Sequence, residues 1–490
     1  MASIPKTIIP KTGRLVTRLG FGSYRISNAT HAKALQAALE GGVNIIDTGS
    51  NFANGLCLKG ASETIIGQTL QDLSASSKLS RESITLVTKS GYLSSSDVQA
   101  FDAQKDYIQL SDKMFHSISP RVLEKQLEMS LKRLKTSKID IFMINSPERM
   151  LMAKNRSYTT AHLYKELAET FRYLDGLVAA GSMGGYGICS NTMAFPNAVD
   201  HISLNEIIKA CPKSNQNLLA IQVPFNLYER EAIVKAEDDV GAKTVAQIAE
   251  ANGIYIMTNR PLNAIANGQV RVLANHELGA NGKGPAEHEI MAEMQKSFEN
   301  IAKLESEIVS ELPVEEESLT SKFVWGQVLS ENLARLAQNH FATRHYLTQQ
   351  VLPTLDKDMA EFSKYVRLQA ADNPDSSNML EEWMKVYKEN MHALIKNIID
   401  YAYIDTLRKN NDLDRIINAL CPALQDQLPP SAYSPLSIKM LRLLLSHKNV
   451  GTVLTGMRDP LYVNDALFAA QQEPIQKEYV DDIWKCPVFW

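Results

Sequence analysis

Short apolar segments of strand length recur along the chain with amphipathic helical stretches between them, and this alternation limits its possible folds more than any other feature. The eight segments span residues 19–23, 43–48, 84–89, 139–145, 185–190, 219–224, 255–259 and 452–456. Alternating strands and helices favour right-handed crossovers and a parallel sheet. Eight such units predict an α/β fold, the (β/α)8 or TIM barrel, with functional groups at the carboxyl ends of the strands.

One connection is much longer than the others. After the seventh segment, about 160 residues precede the helix that leads into the eighth, whereas βα loops usually have about 2–6 residues. Four apolar stripes with spacings of three and four residues run through this stretch, which predicts a small helical bundle. We therefore expect a barrel of residues 1–267 and 432–490, with a helical subdomain of residues 268–431 inserted between strand 7 and helix 7. An outward face of this subdomain is a candidate surface for a protein partner.

The charges are nearly balanced, with 51 basic and 55 acidic side chains and a formal net charge of −4. Because no basic stripe with interleaved aromatic residues occurs, we expect neither nucleic acid nor a membrane as a partner. No apolar run approaches the roughly 20 residues that span a bilayer. The cysteines, at positions 57, 189, 211, 421 and 486, are odd in number and lack CxxC spacing. This pattern favours a reducing compartment over a disulfide framework or a zinc site.

The N-terminal segment allows two interpretations. It is basic and has no acidic residue before Glu40, which is the composition of an organellar transit peptide. Residues 7–23 also alternate and turn like a β-hairpin, with the turn at residues 11–14, where Thr-Gly supplies a positive φ. We favour the hairpin and a cytoplasmic location, and keep an organellar matrix as the alternative.

Polar side chains stand near the ends of the second to seventh segments. In turn these residues are Asp47, Lys89, Asn145, Ser190 with Asn191, Gln222 and Asn259. Because the carboxyl ends of parallel barrel strands meet at one face, we expect these side chains to converge there.

In this order of elements the chain resembles the aldo-keto reductases. The elements are GFGSYR, GVNIIDTGSNF, SETIIG, LVTK, SLKRL, IDIFMI, GGYGICSN, IQVPFN and TGMRDPLYV, and the resemblance covers residues 7–267 and 434–470. It implies a (β/α)8 barrel that binds NADPH and reduces aldehydes or ketones with a tetrad of Asp, Tyr, Lys and His. Asp47 and Lys89 stand at the Asp and Lys positions. Alternatively, they form a buried ion pair that is retained only for the barrel core.

Two tetrad positions differ from the family pattern. Phe52 stands where the resemblance places the Tyr, and Asn145 stands where it places the His. Carbonyl reduction needs a proton for the developing alkoxide, which a phenyl ring cannot donate, whereas Asn145 can donate a hydrogen bond but cannot titrate. Three outcomes are open: Lys59 or Tyr92 supplies the donor, Lys89 or water supplies the proton at a lower rate, or the chemistry is lost.

The resemblance also implies residues for the nicotinamide end of the cofactor. Ser190, Asn191 and Gln222 match the residues that hydrogen-bond the nicotinamide carboxamide, which needs both donors and acceptors. Such polar residues can also satisfy one another at strand ends. Asn259 replaces the aromatic residue that stacks beneath the nicotinamide, so this stacking is lost.

The phosphate and adenine positions follow in the last two barrel segments. Arg260 and Leu262 are candidates for the pyrophosphate, since a guanidinium pairs well with phosphate oxygens. Gly456 and Arg458 match the family's phosphate-binding run, and Arg458 is our candidate for the 2′-phosphate, which favours NADP over NAD. Asp465 matches the acidic residue that meets the adenine.

Two hypotheses about function follow. The first is an NADP-dependent oxidoreductase that reduces a small-molecule carbonyl substrate in a non-standard active site, with the insertion as a lid. The second is a nucleotide-binding pseudoenzyme that acts as a regulatory or scaffold protein through its helical insertion. Phe52 and Asn145 together motivate the second hypothesis.

Overall fold

A computed structural model describes residues 3–52, 60–212, 215–234, 243–266, 268–275, 286–312, 319, 321–369 and 374–489. Contacts between Cα atoms divide the chain into two compact units. The first comprises Met1–Ala264 and Ile417–Trp490, and the second comprises Ile265–Ile416. Within the described ranges, no helix is both long enough and apolar enough to cross a membrane.

The described residues form the following elements. The strands are β1 (Lys6–Ile9), β2 (Arg14–Thr17), β3 (Leu19–Gly22), β4 (Ile45–Asp47), β5 (Thr85–Ser90), β6 (Tyr92–Ser94), β7 (Ile108–Ser111), β8 (Met114–His116), β9 (Ile141–Asn145), β10 (Tyr186–Cys189), β11 (Leu218–Pro224), β12 (Tyr255–Asn259), β13 (Asn263–Ala266), β14 (Gln269–Val272) and β15 (Thr452–Gly456). The α-helices are α1 (Ala29–Glu40), α2 (Ala61–Ala75), α3 (Pro120–Arg133), α4 (Thr160–Ala179), α5 (Leu204–Ala210), α6 (Val245–Ala251), α7 (Glu287–Glu311), α8 (Trp325–Glu331), α9 (Leu333–Leu336), α10 (His340–Tyr346), α11 (Leu352–Gln369), α12 (Pro374–Leu420), α13 (Ala423–Asp426), α14 (Pro435–Ser446), α15 (Pro460–Gln471) and α16 (Lys477–Lys485).

A closed parallel barrel is the core of the first unit. Its strands follow one another in the order β3, β4, β5, β9, β10, β11, β12 and β15, and β15 pairs with β3 to complete the ring. Every residue of β5, β9 and β11 is buried, as expected for parallel strands covered by helices. These strands coincide with the predicted segments to within two residues at each end. The predicted (β/α)8 fold is therefore confirmed.

A hairpin closes one end of this barrel. β1 and β2 pair antiparallel, as predicted, and Gly13 in their turn has a φ of 68°, which glycine adopts at little cost. Ile9 and Val16 of the hairpin belong to the same buried cluster as Ile45 and Ile141, which begin their strands. The hairpin thus covers the end where the strands begin, and the carboxyl ends remain for the polar residues.

A small antiparallel sheet, formed by β6, β8 and β7, lies between β5 and α3. Tyr92 of β6 is paired in register with His116 of β8. The Gln126 side chain on α3 holds the start of β6, since it accepts the Gly91 N–H at 2.9 Å and donates to the Tyr92 carbonyl at 2.8 Å. The sequence did not indicate this sheet, because its strands are short and only partly buried.

The second unit is mainly helical. Its buried core contains the rings of Phe323, Phe362, Trp383 and Tyr387, which contact one another edge-on or stacked. The buried carboxylate of Glu305 accepts the Tyr387 hydroxyl at 2.8 Å. Two of the four expected apolar stripes belong to one continuous helix, α12, and the pairing of β13 with β14 was not indicated by the sequence.

Candidate active site

Strand register brings several of the predicted residues level with one another at the carboxyl end of the barrel. Cys189 on β10 is paired with Asn145 on β9 and with Gln222 on β11. Asp47 and Lys89 lie at the ends of the neighbouring strands β4 and β5. The expected convergence of the strand ends therefore occurs for these residues.

A buried ion pair connects Asp47 to Lys89. The exposed fractions of the two residues are only 5% and 2%. Gln222 Nε2 also donates to Asp47 Oδ1 at 2.9 Å, and Gln222 Oε1 accepts from Asn259 Nδ2 at 3.1 Å and from the Cys189 thiol at 3.3 Å. A continuous polar chain thus runs from Lys89 across the barrel to Asn259.

Phe52 lies directly against this chain. Its ring is buried, and the ring centroid is 5.0 Å from Lys89 Nζ. The ring of Tyr24 packs edge-on against Phe52 with a centroid distance of 5.1 Å. An aromatic face beside an ammonium is attractive, but it offers no proton.

Asn145 is held through its backbone by a histidine that the sequence did not indicate. His116 Nε2 lies 2.7 Å from the Asn145 carbonyl oxygen, and its Nδ1 lies 3.4 Å from Met150 Sδ. Burial lowers the pKa of His116 to about 4, so the ring is neutral near pH 7 and Nε2–H donates to the carbonyl. The next residue, Ser146, has a φ of 53°, a conformation that costs a non-glycine residue energy and often marks a functional site.

Glu148 is a second buried titratable residue that the sequence reading missed. It lies on the 3-10 turn Pro147–Met152, and its Oε1 accepts the backbone N–H of Asn191 at 3.0 Å. Burial raises the pKa of Glu148 to about 7, and the hydrogen bond from Asn191 counteracts part of this shift. A carboxyl that changes protonation near neutral pH thus supports a predicted cofactor residue.

Arg260 joins two elements of the site. Its guanidinium donates to Asn191 Oδ1 at 2.9 Å and forms a 3.1 Å ion pair with Glu229. Arg260 has a φ of 57° and follows the end of β12. Asn191 and Arg260 were assigned separately to the carboxamide and the pyrophosphate, and in the structure they contact each other directly.

Ser190 has a local role. It is buried, and its Oγ accepts the N–H groups of Thr192 and Met193, each at 3.2 Å. These bonds shape the loop after β10, and the predicted contact of Ser190 with a carboxamide stays a prediction.

Besides Arg260, four residues were predicted for the phosphates and the adenine. Gly456 ends β15 and Arg458 is exposed, while Leu262 is half-buried between β12 and β13. Asp465 on α15 is buried, and its carboxylate accepts the N–H groups of Tyr433 at 3.1 Å and Ser434 at 2.7 Å. Among the described residues, no hydrogen bond or ion pair joins Gly456, Arg458 or Asp465 to the chain from Lys89 to Asn259.

Two buried polar atoms indicate how a dinucleotide would fit. Asn259 Oδ1 and Arg260 Nε have no hydrogen-bond partner in the described part of the chain. The amide N–H of a nicotinamide carboxamide would satisfy the first atom, and a phosphate oxygen would satisfy the second. Lys59, one of the two residues considered as a replacement donor, lies outside the described residues.

Comparison with known proteins adds independent evidence. Residues 17–357 match the model of the Aldo/keto reductase family. The chain is 25% identical over 233 residues to aldo-keto reductase YhdN of Bacillus subtilis, an alignment covering 46% of this chain and 55% of that protein. It is 28% identical over 196 residues to 6-dehydroglucose reductase of Novosphingobium aromaticivorans, covering 39% and 53% of the two chains. It therefore spans about half the length of these curated relatives.

Two solved structures align with almost the whole chain. Aldo-keto reductase AKR11C1 from Bacillus halodurans aligns with 98% of this chain and 95% of its own, at 14% identity and a TM-score of 0.46. Glycerol dehydrogenase AKR11B4 from Gluconobacter oxydans aligns with 98% and 94%, at 15% identity and a TM-score of 0.47.

Proposed function

The chain belongs to the aldo/keto reductase family, and from this premise we propose that it is an NAD(P)H-dependent oxidoreductase that transfers a hydride to a small-molecule carbonyl. The observation that carries the proposal is the buried Asp47–Lys89 pair, joined through Gln222 to Asn259 at the carboxyl ends of the strands. Catalytic groups of (β/α)8 enzymes come from this end. An ion pair retained only for the core does not account for Asn259 Oδ1 at the other end of this polar chain, which is buried without a partner among the described residues.

The residues that would hold the cofactor line one side of this site. Ser190, Asn191 and Gln222 would bind the carboxamide, and Asn259 Oδ1 offers it a further acceptor. Arg260, with Leu262 beside it, would bind the pyrophosphate. When bound, NAD(P)H supplies the hydride, so the protein has to position the carbonyl and manage the proton.

NADP is the proposed form of the cofactor. Arg458 is exposed at the start of the segment after β15 and is close enough to His31 for its charge to add to the effect of burial in lowering the pKa of that histidine. A guanidinium at this place is suited to a 2′-phosphate. Gly456 would allow close backbone approach, and Asp465 is the residue proposed near the adenine.

Two groups are available for the substrate oxygen. The Lys89 ammonium and the Asn145 amide can both donate hydrogen bonds to a carbonyl oxygen that gains charge as the hydride arrives. Phe52 occupies the place of the usual phenol and cannot supply the proton. The site is therefore non-standard for its family.

The division of the chain into a barrel of residues 1–267 and 432–490 and an insertion of residues 268–431 stays a prediction. The second compact unit, Ile265–Ile416, supports it. A partner-binding face on the insertion is part of the same proposal.

The experiment is a titration with NADPH, followed by turnover measurements. We expect NADPH fluorescence to change saturably and a panel of aldehydes and ketones to be reduced with loss of NADPH absorbance. Gln222→Leu removes the side-chain amide but keeps the size of the residue. It should weaken NADPH binding at least about tenfold, because the hydrogen bonds that we assign to the nicotinamide carboxamide are lost. Gln247→Leu on α6 is the matched control and should bind like the wild type.

One observation favours the second candidate function, a nucleotide-binding regulatory protein. The Phe52 ring fills the position beside Lys89 without offering an acid. Saturable NADPH binding without turnover of any carbonyl in the panel would support this function and contradict the reductase. An absence of NADPH binding would contradict both.

A further inference from the structure

A carbonyl reductase without a phenol at position 52 needs another source for the proton. We propose that Tyr92, held against the Arg149 guanidinium, is the catalytic acid that protonates the substrate oxygen in this barrel. This inference rests on the proposed reductase function and assigns its acid step to a residue of the small sheet.

The backbone places Tyr92 beside Asn145. Gly91, with a φ of 144°, packs so closely that a Cβ there would lie 2.9 Å from the Asn145 carbonyl oxygen. The Tyr92 ring then contacts the His116 ring perpendicularly, at a centroid distance of 4.9 Å. His116 Nε2 is hydrogen-bonded to the same Asn145 oxygen at 2.7 Å. Tyr92 thus lies next to the position where the family places its tetrad His.

Arg149 gives this phenol a cationic neighbour. It lies on the 3-10 turn that follows Asn145. Burial acts to lower the pKa of the Arg149 guanidinium, but the pKa is raised overall. The Tyr92 oxygen raises it as a phenolate charge and as a hydrogen-bond acceptor, and the carboxylates of Asp200 and Glu148 add to this effect. A guanidinium has only donors, so the Tyr92 oxygen accepts from Arg149, and the Tyr92 O–H remains free to donate to a substrate.

The charged neighbour of Tyr92 is the Arg149 guanidinium, which also interacts with the carboxyls of Asp200 and Glu148. His116 packs on the ring from β8 and is neutral near pH 7, because burial lowers its pKa to about 4. Gln126 contacts the Tyr92 backbone from α3 and is uncharged. Asp200 is ion-paired with Arg149 at 3.4 Å, so a phenolate at Tyr92 would share the guanidinium with this carboxylate. A phenolate left by proton transfer would therefore face a cation.

The step balances with NAD(P)H as the reductant and water as the final source of the proton. The carbonyl carbon would accept a hydride from bound NAD(P)H, which would be oxidised to NAD(P)+, and the π electron pair would move to the carbonyl oxygen. The Tyr92 O–H bond breaks and its proton bonds to that oxygen, which gives the alcohol and a phenolate beside Arg149. Water then returns a proton to Tyr92.

Tyr24 is the competing phenol. Its ring packs edge-on against Phe52, and its side chain is largely exposed to water. Tyr107 provides a matched control, since it is half-buried like Tyr92 and packs on Phe115 of the same small sheet with a centroid distance of 5.5 Å.

The test compares Tyr92→Phe, Tyr24→Phe and Tyr107→Phe with the wild type. NADPH oxidation with 4-nitrobenzaldehyde is followed from about pH 6 to about pH 10, and the Kd for NADPH is measured by fluorescence. We expect Tyr92→Phe to lower kcat by about 10²- to 10⁴-fold, to lose the fall of kcat at high pH, and to keep the Kd. Tyr107→Phe should keep the wild-type kcat.

Two variants of Arg149 and one double variant test the same assignment further. Arg149→Gln should lower kcat at least about tenfold, and Arg149→Lys should restore part of it, because the positive charge returns. The double variant Tyr92→Phe with Phe52→Tyr should regain turnover, because a phenol is then present at the family's own position.

Two outcomes would overturn the assignment. One is Tyr92→Phe with the kcat and pH profile of the wild type; the other is loss of turnover in Tyr24→Phe while Tyr92→Phe stays active. In both cases the wild type still turns over, so the proposed reductase function stands. A wild type that reduces no carbonyl would overturn the function together with this inference.

Discussion

The ring of Phe52 faces the ammonium of Lys89, with 5.0 Å between the ring centroid and Nζ. Lys89 is ion-paired with Asp47 at the same place, and all three side chains are buried. The buried ion pair therefore has an aromatic ring without an acidic hydrogen as its neighbour.

Restoring the phenol should raise the rate. In the Tyr92→Phe background, where the proposed acid is absent, Phe52→Tyr adds a hydroxyl to a ring already placed against Lys89. We therefore expect kcat for carbonyl reduction to rise at least about tenfold over Tyr92→Phe alone, within the range for general acid catalysis. The measurement is NADPH oxidation at saturating substrate. Phe52→Leu, which removes the ring without adding a hydroxyl, should show no gain.

A further variant tests whether the missing acid is all that separates this pocket from that of a reductase. Adding Asn145→His to Phe52→Tyr completes the tetrad that the resemblance to the family implies. If both changes are made in the Tyr92→Phe background, and the protein folds, binds NADPH and shows no gain over Tyr92→Phe alone, the pocket differs from that of a reductase in more than its acid.

Breaking the buried ion pair should destabilise the barrel. Lys89→Met leaves the Asp47 carboxylate buried without its cation, and we expect a loss of about 3–5 kcal/mol in the free energy of unfolding. The double variant Lys89→Met with Asp47→Leu should recover much of this loss, because no buried charge is left. Urea unfolding followed by circular dichroism measures both.

An exposed pair is the control for this effect. Lys125 and Glu128 form an i,i+3 pair with both side chains more than half exposed. Lys125→Met should change the stability by no more than about 1 kcal/mol. If Lys89→Met and Lys125→Met lower the free energy of unfolding equally, the Asp47–Lys89 pair is not desolvated and this prediction is wrong.

Stability should depend on pH through Glu148. Its pKa is raised by burial from 4.5 to about 7, so between these values the folded state binds more protons than the unfolded state. The free energy of unfolding therefore falls as the pH rises from 4.5 to about 7. At 1.36 kcal/mol per pH unit, the loss amounts to about 3 kcal/mol. Glu148→Gln keeps an oxygen for the Asn191 N–H and should melt at a higher temperature than the wild type at pH 8, with little difference at pH 5.

Glu206→Gln is the control for Glu148. Glu206 is a partly exposed residue paired with Lys209 on α5. The difference in melting temperature between Glu206→Gln and the wild type should not change from pH 5 to pH 8. A similarly constant difference for Glu148→Gln would show that Glu148 does not titrate in this range.

Gly91 should tolerate no side chain. Its φ is 144°, and a Cβ added there would lie 2.9 Å from both the Asn145 carbonyl oxygen and His116 Nε2. We therefore expect Gly91→Ala to lose at least about 1–3 kcal/mol of stability, and turnover with it. Gly176→Ala on α4 is the control, because a Cβ there meets nothing within 4 Å. It should gain about 0.5–1 kcal/mol. Thermal melting separates the two, and equal melting temperatures would contradict the tight packing of Gly91.

Arg458 should decide between the two cofactors. Arg458→Gln removes a charge that we assign to the 2′-phosphate, so the Kd for NADPH should rise about tenfold and the Kd for NADH should stay unchanged. Arg172→Gln, an exposed arginine variant on α4, should affect neither. Equal weakening of NADPH and NADH would place Arg458 at another part of the dinucleotide.

The amino-acid sequence by itself determined the barrel, the N-terminal hairpin and the strand ends where Asp47, Lys89 and Gln222 stand. These features follow from local patterns: apolar runs of strand length, helical spacing between them, and a Thr-Gly turn. Parallel order then places all carboxyl ends at one face, so convergence of the polar residues could be predicted without any knowledge of contacts.

Only the tertiary structure decided which of these residues touch and which further residues join them. Gln222 reaches Asp47 across 175 positions of sequence, and Arg260 reaches Asn191 across 69. His116, Glu148 and Arg149 carry no motif, and their properties arise from burial and from neighbours that the small sheet and the turn after β9 bring to Asn145. Desolvation and hydrogen bonding depend on the three-dimensional surroundings of each group, so residue identity and spacing could not reveal them.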